Sequence, residues 1–357
     1  MAGIGTMVDI PASKHTVSVS IIDTTVRFKR WEIDPFVQEP KIAGHTHMTV
    51  PSWAFKIVHP ERGTYLYDLG VRLDYNDKLP TRSLDLMKKN GWNIDIEKDV
   101  AQILSGNGEK LEHVNGIIWS HWHWDHIGDP TTFPSGTKVV VGPGFKSAML
   151  PGFPENPDGA VNSDAWENRE LEEVEMSQDL IVGGYPALDY FGDGSFYLLY
   201  SAGHTVGHLS ALARTTPGPD PSFIFMGGDI SHVIGQFRPN MYAPLPDKIS
   251  PDPRKPLDRH FQSFCPCEGY IAIHPQRARD KPYYKGARGM AFDFDKAEAS
   301  LQKLEAFDAD ERVLIVIAHD ASLLDIVDVY PAEANQWRQK DWKKLAHWRF
   351  LGDFKPE

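Results

Sequence analysis

Three histidines and one aspartate lie within six positions of the chain, in the stretch His121-Trp122-His123-Trp124-Asp125-His126. Imidazole and carboxylate ligands without thiolates suit Zn²⁺, and Mn²⁺, Fe²⁺ and Co²⁺ accept the same set. Side chains two residues apart point to the same side of an extended segment, so His121 and His123 can bind one ion. Asp125 and His126 come next, where the chain can turn them toward a second ion. The pattern predicts metal-assisted hydrolysis.

The same residue types recur just after three more apolar runs, as His204, Asp229 and His319. The runs are read as the strands Phe196–Tyr200, Phe223–Met226 and Val313–Ile317. A fourth strand, Val114–Ser120, ends directly on His121. Four strands that each deliver a histidine or an aspartate at their carboxyl end are what a site for two metal ions requires.

This arrangement resembles the metallo-β-lactamase superfamily. The residues that carry the resemblance are, in order, His121, His123, Asp125, His126, His204, Asp229 and His319. Less specific support comes from Asp68-Leu69-Gly70, which stands where the family often has an Asp-x-Gly turn after an early hairpin. The resemblance covers about residues 17–320. It implies an α/β fold, a four-layer αβ/βα sandwich with its metal ions at one edge of the two sheets.

By that resemblance, the seven residues divide into ligand sets for two Zn²⁺ ions. One ion takes His121, His123 and His204, and the other takes Asp125, His126 and His319. Asp229 bridges the two ions. A hydroxide held between the ions would attack the substrate, and Asp125 would orient it and carry a proton to the leaving group.

Within the superfamily, the arrangement is most similar to lactonases, including enzymes that open N-acyl-homoserine lactones. Those enzymes commonly have a tyrosine three residues after the bridging aspartate, where this chain has His232. The departure weakens a direct transfer of homoserine-lactone activity. A histidine can still donate to an oxyanion or protonate a leaving nitrogen, because its pKa lies near neutrality. His232 is therefore a candidate catalytic residue, with shielding of the metal edge as the alternative.

The long insertions and the many aromatic residues also resemble fungal γ-lactamases that open benzoxazolinone. This resemblance implies a small-molecule substrate with a lactone or lactam ring, that is, a cyclic ester, amide or carbamate. Trp122, Trp124 or Phe237, all near ligands in the sequence, are hypothesised to form the wall of its pocket.

Other activities of the superfamily would use the same ligands. A thioester hydrolase of the glyoxalase II type should need a basic glutathione-binding patch, which is not evident. A phosphodiesterase or nuclease is disfavoured by the net charge of −12. An iron oxidoreductase usually replaces a ligand histidine with a carboxylate, and a protein that only senses its ligand would lack some of the seven residues.

Two sets of histidines outside this group are predicted to have other roles. His208 fits a structural role close to the metals. His45 and His47 lack a further ligand nearby, so a pocket-lining or surface role is expected for them.

The rest of the sequence predicts the strands and helices that must position the candidate ligands. Serine and apolar residues alternate in Val17–Ile22, which predicts a strand. Trp53–Val58 and Tyr65–Leu69 flank a Pro- and Gly-containing turn and predict a hairpin. Further strands are predicted over Lys138–Val141 and Ser210–Arg214, and helices over Asp95–Leu104 and Phe294–Phe307.

Two stretches, residues 143–195 and 235–292, are rich in Pro and Gly and read as loop insertions within one domain that spans residues 1–357. The first contains an acidic segment, Glu167–Met176, that predicts a helix. Surface loops, and lids or pocket walls, are equally expected for the two stretches. Three tryptophans, Trp337, Trp342 and Trp348, predict a packed C-terminal helix in the core or at a docking surface that could serve a homodimer.

Composition narrows the partners and the compartment. The 357 residues include 37 basic and 49 acidic ones, and an acidic surface repels nucleic acid and anionic membranes. The only cysteines, Cys265 and Cys267, are separated by one residue, which excludes a disulfide scaffold and a Cys-rich zinc module. No apolar run approaches 18 residues and the first fifteen residues lack a signal-peptide core, so a cytoplasmic protein is expected.

Overall fold

A computed structural model describes residues 7–257 and 263–354 of the chain. The strands in chain order are β1 (Ser18–Asp23), β2 (Arg27–Glu32), β3 (His47–Val50), β4 (Trp53–His59), β5 (Gly63–Tyr67), β6 (Asn93–Asp95), β7 (Val114–Ile118), β8 (Lys138–Val141), β9 (Leu171–Glu173), β10 (Ile181–Val182), β11 (Tyr185–Asp189), β12 (Phe196–Tyr200), β13 (Leu209–Arg214), β14 (Phe223–Met226), β15 (Lys248–Ile249), β16 (Cys265–Pro266) and β17 (Val313–Val316). The α-helices are α1 (Tyr75–Lys78), α2 (Thr81–Asn90), α3 (Val100–Gly106), α4 (Trp124–Ile127), α5 (Phe145–Met149), α6 (Glu268–Ile273), α7 (Phe294–Ala309) and α8 (Trp342–Ala346). Residues 258–262, which fall inside the predicted insertion 235–292, lie outside the described residues.

Two six-stranded sheets organise the chain. The first has the order β1-β4-β5-β7-β8-β9, and β5, β7, β8 and β9 are parallel. The second has the order β10-β11-β12-β13-β14-β17. Its strands β12 and β14 both pair antiparallel to β13, and β17 pairs parallel to β14. The carboxyl ends of β12, β14 and β17 therefore meet at one edge of the second sheet.

The two sheets pack face to face over an apolar core. Ile21 and Phe55 of the first sheet share this core with Leu198 and Ala211 of the second, and all four are buried. Burial of apolar surface contributes roughly 25 cal/mol per Å², so this interface is a main source of stability. Two C-terminal tryptophans complete the same core, Trp337 and Trp342.

Helices cover the outer face of each sheet. On the first, Leu104 of α3 packs in a cluster with Ile117. On the second, Leu304 and Phe307 of α7 pack in a cluster with Ile315. The order helix, sheet, sheet, helix is the four-layer sandwich expected from the sequence.

Most predicted elements appear at or near their predicted bounds, but three helices differ. The C-terminal helix expected from Trp337, Trp342 and Trp348 spans only Trp342–Ala346, and Trp337 lies outside it in the core between the sheets. The helix expected over Asp95–Leu104 begins at Val100, because Asp99 caps it by accepting a hydrogen bond from the Gln102 amide, and residues 93–95 form β6. The acidic helix expected over Glu167–Met176 is wrong. That segment contributes β9, an edge strand that runs parallel to β8. The carboxylate of Glu172 in β9 forms an ion pair with Lys138 of β8.

Both predicted insertions contribute to the sheets and cores. Residues 143–195 supply β9, β10 and β11, which extend the two sheets. Residues 235–292 supply the short pair β15 and β16 and the buried side chains of Leu245, Tyr270 and Tyr284. Neither stretch is a simple surface loop, because each buries apolar residues against the rest of the chain.

A buried ion pair ties the second insertion to the helix beside β17. The guanidinium of Arg238 donates to the carboxylate of Asp308, with an Nη2–Oδ1 distance of 2.6 Å. Nearby, Lys343 of the C-terminal segment donates to the carbonyl oxygens of Asp308, Asp310 and Val313 at 2.6–2.8 Å. Burial lowers the pKa of Lys343 to about 8. These contacts fix the start of the strand that leads to His319.

Among the described residues, no helix combines the length with the apolar character that crossing a lipid bilayer demands.

A close backbone approach joins the two sheets beside their common edge, and it yields a test of the packing. A Cβ atom placed on Gly142 would lie 1.9 Å from the carbonyl oxygen of Gly207, so Gly142→Ala must push the two segments apart. We expect this variant to lose about 1–3 kcal/mol of unfolding free energy, measured by thermal unfolding. The control is Gly136→Ala, where nothing lies within 4 Å of the added atom. Equal unfolding temperatures for the two variants would contradict the packing described.

Candidate metal centre

The first group of candidate ligands contains His121, His123, His204 and Asp229, whose ligand atoms lie within 4.8 Å of one another. The two histidines of the motif follow β7, whereas the other two residues follow β12 and β14. Nδ1 of His123 lies 3.0 Å from Nε2 of His204. The carboxyl ends of strands from both sheets thus bring these side chains to one point.

The second group contains Asp125, His126 and His319. The first two belong to α4, the short helix that begins right after His123 and turns them away from the first group. His319 follows β17. Its Nε2 lies 3.6 Å from Oδ2 of Asp125, and Nε2 of His126 lies 3.8 Å from the same oxygen.

The carboxylate of Asp229 lies between the two groups. Its Oδ1 is 3.2 Å from Nε2 of both His126 and His319. Its Oδ2 is 3.5 Å from Nε2 of His204 and 3.8 Å from Nε2 of His121. One oxygen faces each group, which is the geometry of a carboxylate that can bind two metal ions at once.

Asp68 fixes the orientation of His126 in the second group. Its Oδ1 accepts a hydrogen bond from the Ser120 amide, and its Oδ2 accepts one from the Ser120 hydroxyl, both at 2.7 Å. The same Oδ2 lies 2.9 Å from Nδ1 of His126. A carboxylate on Nδ1 fixes the ring and leaves Nε2 free to bind a metal ion. The Asp-x-Gly turn noted in the sequence therefore supplies a positioning residue.

Backbone carbonyls orient two further ligand rings in the same way. Nδ1 of His319 lies 2.8 Å from the carbonyl oxygen of Pro51, and Nδ1 of His204 lies 3.0 Å from that of Met290. His208 plays the structural role predicted for it, because its Nε2 accepts a hydrogen bond from the Asp229 amide at 3.1 Å.

The turn that carries Asp229 requires glycine at Gly228. Its φ is +53°, and an added Cβ would lie 2.7 Å from Cβ of Ser120. The lack of a side chain lets the end of β14 approach the end of β7. Ligands from the two sheets can meet only because of this approach.

Burial and charge act differently on the two groups. Burial lowers the pKa of His121 and His204 well below the ordinary value, and that of His123 to about 3. Burial alone would also lower the pKa of His126, but the carboxylates of Asp229 and Asp125 raise it well above the ordinary value. The first group therefore presents neutral imidazoles, whereas the two histidines of the second group lie beside the carboxylates of Asp125 and Asp229, which favour positive charge there.

Unsatisfied atoms in the centre show that its residues fit metal ions. Nε2 of His121, Nε2 of His126 and Oδ1 of Asp229 are buried and form no hydrogen bond of ordinary geometry among the described residues, although the last two atoms lie 3.2 Å apart. Buried polar atoms in proteins are normally paired. An imidazole and carboxylate donor set of this kind suits divalent cations such as Zn²⁺. The chain thus has a candidate site for two metal ions.

A cavity of about 420 Å³ opens beside the centre. Trp122 and Trp124 line it, as expected, whereas Phe237 does not, because its side chain is fully buried in the core outside the second sheet. The partly exposed Leu86 of α2 and Phe292 give the cavity an apolar border.

Several lining residues were missed by the sequence reasoning. They are Trp31, Phe36, Arg82, Trp92 and Met290. Trp31 stacks on Trp92 with ring centroids 4.4 Å apart. No spacing in the sequence connects these two residues, which are 61 positions apart. The only relevant signal was the expectation that residues 235–292 could supply a pocket wall.

His232 lies at the boundary between the centre and the cavity. Its Nε2 is 3.2 Å from Oδ2 of Asp229, and its ring packs 5.2 Å from that of Phe36. The Gln236 side chain accepts a hydrogen bond from the His232 amide at 3.0 Å and so holds this turn. His45 and His47, for which a pocket-lining or surface role was expected, lie outside the candidate metal centre. His45 is buried and lines a different cavity, and His47 is exposed on β3.

Comparisons with known proteins show which proteins the chain resembles. A family model described as the metallo-beta-lactamase superfamily matches residues 48–225. The chain is 44% identical over 356 residues to gamma-lactamase FDB1 of Fusarium pseudograminearum, a match that covers 97% of this chain and 84% of that protein. It is 47% identical over 243 residues to gamma-lactamase MBL2 of Gibberella moniliformis, which covers 67% of this chain and 99% of that protein.

Solved structures show the same fold. A crystal structure of a mutant of AiiA from B. thuringiensis, with N-decanoyl-L-homoserine bound at its active site, aligns with a TM-score of 0.57. The alignment covers 90% of this chain and 100% of that one, at 16% sequence identity. At that identity the likeness concerns the fold alone.

Metal content tests the two groups separately. We expect the zinc-loaded protein to hold two ions per chain by inductively coupled plasma mass spectrometry, and His121→Ala and His126→Ala to hold about one each. Asp229→Ala should lose both, because its carboxylate faces both groups. His47→Ala, which changes an exposed histidine, should keep two ions. A wild-type protein that holds no metal would refute the site.

The positioning role of Asp68 gives a second measurement. Asp68→Asn removes the charge that fixes Nδ1 of His126, and we expect the second ion to bind about 10–100-fold more weakly. Affinity for the first ion should change much less. Titration with a metal-binding dye would resolve the two steps, and equal losses at both would contradict the assignment of Asp68 to the second group.

Proposed function

The chain belongs to the metallo-β-lactamase superfamily, and from that premise we propose that it is a dinuclear-metal hydrolase that opens a lactone or lactam ring. The observation that carries the proposal is the carboxylate of Asp229, which presents one oxygen to each group of histidines at 3.2–3.8 Å. Two cations bound there would supply an activated water and a Lewis acid for the carbonyl oxygen.

A cyclic amide or carbamate is the substrate that we favour. The two fungal relatives at 44% and 47% identity are both named gamma-lactamase, and one of them matches over nearly the whole chain. The tryptophans beside the centre suit a flat ring, so an aromatic bicyclic compound such as benzoxazolinone is our first choice of substrate. A cyclic ester remains part of the proposed class.

Zinc is the metal that we propose for the seven ligands His121, His123, Asp125, His126, His204, Asp229 and His319. The donor set contains five imidazoles and two carboxylates, which Zn²⁺ binds well. Mn²⁺, Fe²⁺ and Co²⁺ accept the same donors and are the alternatives to compare.

Two side chains carry the proton chemistry in this proposal. Asp125 lines the cavity and lies in the second group, so its carboxylate can orient the attacking water. It then carries the proton to the ring atom that leaves. His232 also lines the cavity, with its Nε2 3.2 Å from Oδ2 of Asp229, and this nitrogen would donate to the carbonyl oxygen or to the leaving nitrogen.

The cavity lining disfavours the rival activities. Among the described lining residues, Arg82 is the only lysine or arginine. A phosphodiesterase or nuclease needs several cations for its phosphates, and a hydrolase of glutathione thioesters needs a basic patch. An uncharged cyclic substrate fits an aromatic lining better.

The remaining parts of the proposal concern the whole chain. We propose one domain, since strands of the first insertion extend both large sheets and buried side chains of both insertions join the apolar cores. We propose a cytoplasmic location, which the two unpaired cysteines, Cys265 and Cys267, support. A homodimer is a further proposal, to be tested by light scattering.

Replacement of His232 tests its catalytic role. We expect His232→Phe to lower kcat about 10–10³-fold on a γ-lactam or an N-acyl-homoserine lactone without loss of metal. His232→Tyr keeps a donor and should retain more activity, especially on the lactone. The control is His47→Phe, on an exposed strand. If zinc-loaded protein opened neither ring class, but cleaved a thioester or a phosphodiester, the proposed function would be wrong.

A further inference from the structure

The side chain of Gln236 forms hydrogen bonds to two separate segments of the chain. Its Oε1 accepts from the hydroxyl of Ser231 at 2.8 Å and from the amides of His232 and Val233 at 3.0 and 3.3 Å. Its Nε2 donates to the backbone carbonyl oxygen of Phe36 at 2.8 Å. Gln236 is only 4% exposed, so water does not readily replace these bonds. One buried amide group therefore joins the turn that carries His232 to the segment that carries Phe36.

The ring of His232 is held differently from the rings of the candidate ligands. Nδ1 has an oxygen partner at 2.8–3.0 Å in three of the ligand histidines, His126, His204 and His319. The residues that the structure describes provide no such hydrogen bond to the ring of His232. Its Nε2 lies 3.2 Å from Oδ2 of Asp229, but not in the geometry of a hydrogen bond. The direction of this ring therefore depends on the turn that carries it and on its packing 5.2 Å from the ring of Phe36.

Backbone hydrogen bonds support the same region without the help of Gln236. The Ala287 amide donates to the carbonyl oxygen of Phe36 at 3.0 Å, and the Tyr284 amide donates to that of Gly235 at 2.9 Å. Residues 284–287 thus connect the two segments through the backbone alone. Removal of the Gln236 amide group should therefore shift the turn that carries His232 and leave the surrounding segments folded.

We propose that Gln236 is a positioning residue for His232. Its amide group sets the turn of residues 231–233 against Phe36 and so directs Nε2 of His232 toward the metal centre. The inference rests on the proposed function for the reaction in which that nitrogen donates a proton. Because a displacement of about 1 Å can lower a catalysed rate about 100-fold, a small shift of this turn is enough to impair turnover.

Matched variants separate this role from a general loss of structure. Gln236→Met nearly keeps the length of the side chain and removes its four hydrogen bonds. Gln236→Glu keeps an oxygen acceptor for the turn and is the conservative replacement. The control is Gln38→Met, because Nε2 of Gln38 donates to the carbonyl oxygen of Gly286 at 2.7 Å in the same region, without a hydrogen bond to the described turn of residues 231–233.

We expect Gln236→Met to lower kcat of the zinc-loaded protein on a lactone or a γ-lactam about 10–100-fold, with little change in KM and in metal content. Gln236→Glu should keep more of the wild-type kcat, and Gln38→Met should keep kcat within about twofold. In a His232→Phe background, Gln236→Met should cost no more than about twofold, because the side chain that it positions is already gone. An equal loss with and without His232, or an equal loss in Gln38→Met, would overturn the inference.

A measurement without turnover separates the inference from the proposed function. Magnetic resonance spectra of zinc-loaded protein with ¹⁵N-labelled histidine report the surroundings of each ring, and the signals of His232 are identified by their loss in His232→Phe. If the wild-type protein opens neither ring class, but these signals move in Gln236→Met and stay in place in Gln38→Met, the proposed function fails and the inference stands. Turnover in the wild-type protein, with the His232 signals and kcat both unchanged in Gln236→Met, has the opposite meaning.

Discussion

One buried carboxylate, that of Asp229, has to lie between five histidines that come from both sheets. Its two oxygens face different groups at 3.2–3.8 Å, and its amide donates to His208. A charged group is costly to bury unless other groups compensate it, so its position has to be tightly fixed. Three features help to fix the position of Asp229: the turn at Gly228, the parallel ends of β12, β14 and β17, and the ion pair between Arg238 and Asp308. The outer helices and the core between the sheets hold these strands in place.

The two groups around this carboxylate differ in charge. The first offers three imidazoles, each of which burial keeps neutral. The second offers Asp125 with two imidazoles, one of which is held by the carboxylate of Asp68. A metal ion bound by the second group would meet more negative charge than one bound by the first. Two ions bound there would therefore be held with unequal strength and would polarise a substrate unequally.

The sequence predicted seven candidate ligands at or shortly after the ends of short apolar runs, and the structure brings those seven side chains together beside the ends of the corresponding strands. The four-layer order also followed, from the resemblance that these residues carry. Apart from Trp122 and Trp124, the cavity wall was not predicted, since Trp31 and Trp92 meet only through the small folded sheet β3-β2-β6 and share no sequence spacing. Phe237 was misplaced for a related reason: proximity in sequence to Asp229 did not decide which way its side chain points. Glu167–Met176 was misread because its charges suggested a helix, whereas pairing with β8 makes it an edge strand.

Much of the cavity wall comes from segments of the chain that contain no candidate metal ligand. The wall is supplied largely by residues 31–36, 82–92 and 289–292, none of which contributes a candidate ligand. Substitutions in the first two segments can therefore reshape the substrate pocket without replacing a candidate ligand, whereas Met290 of the third segment also orients His204. Such a division would let related chains change substrate through residues 31–36 and 82–92 while all seven candidate ligands are kept.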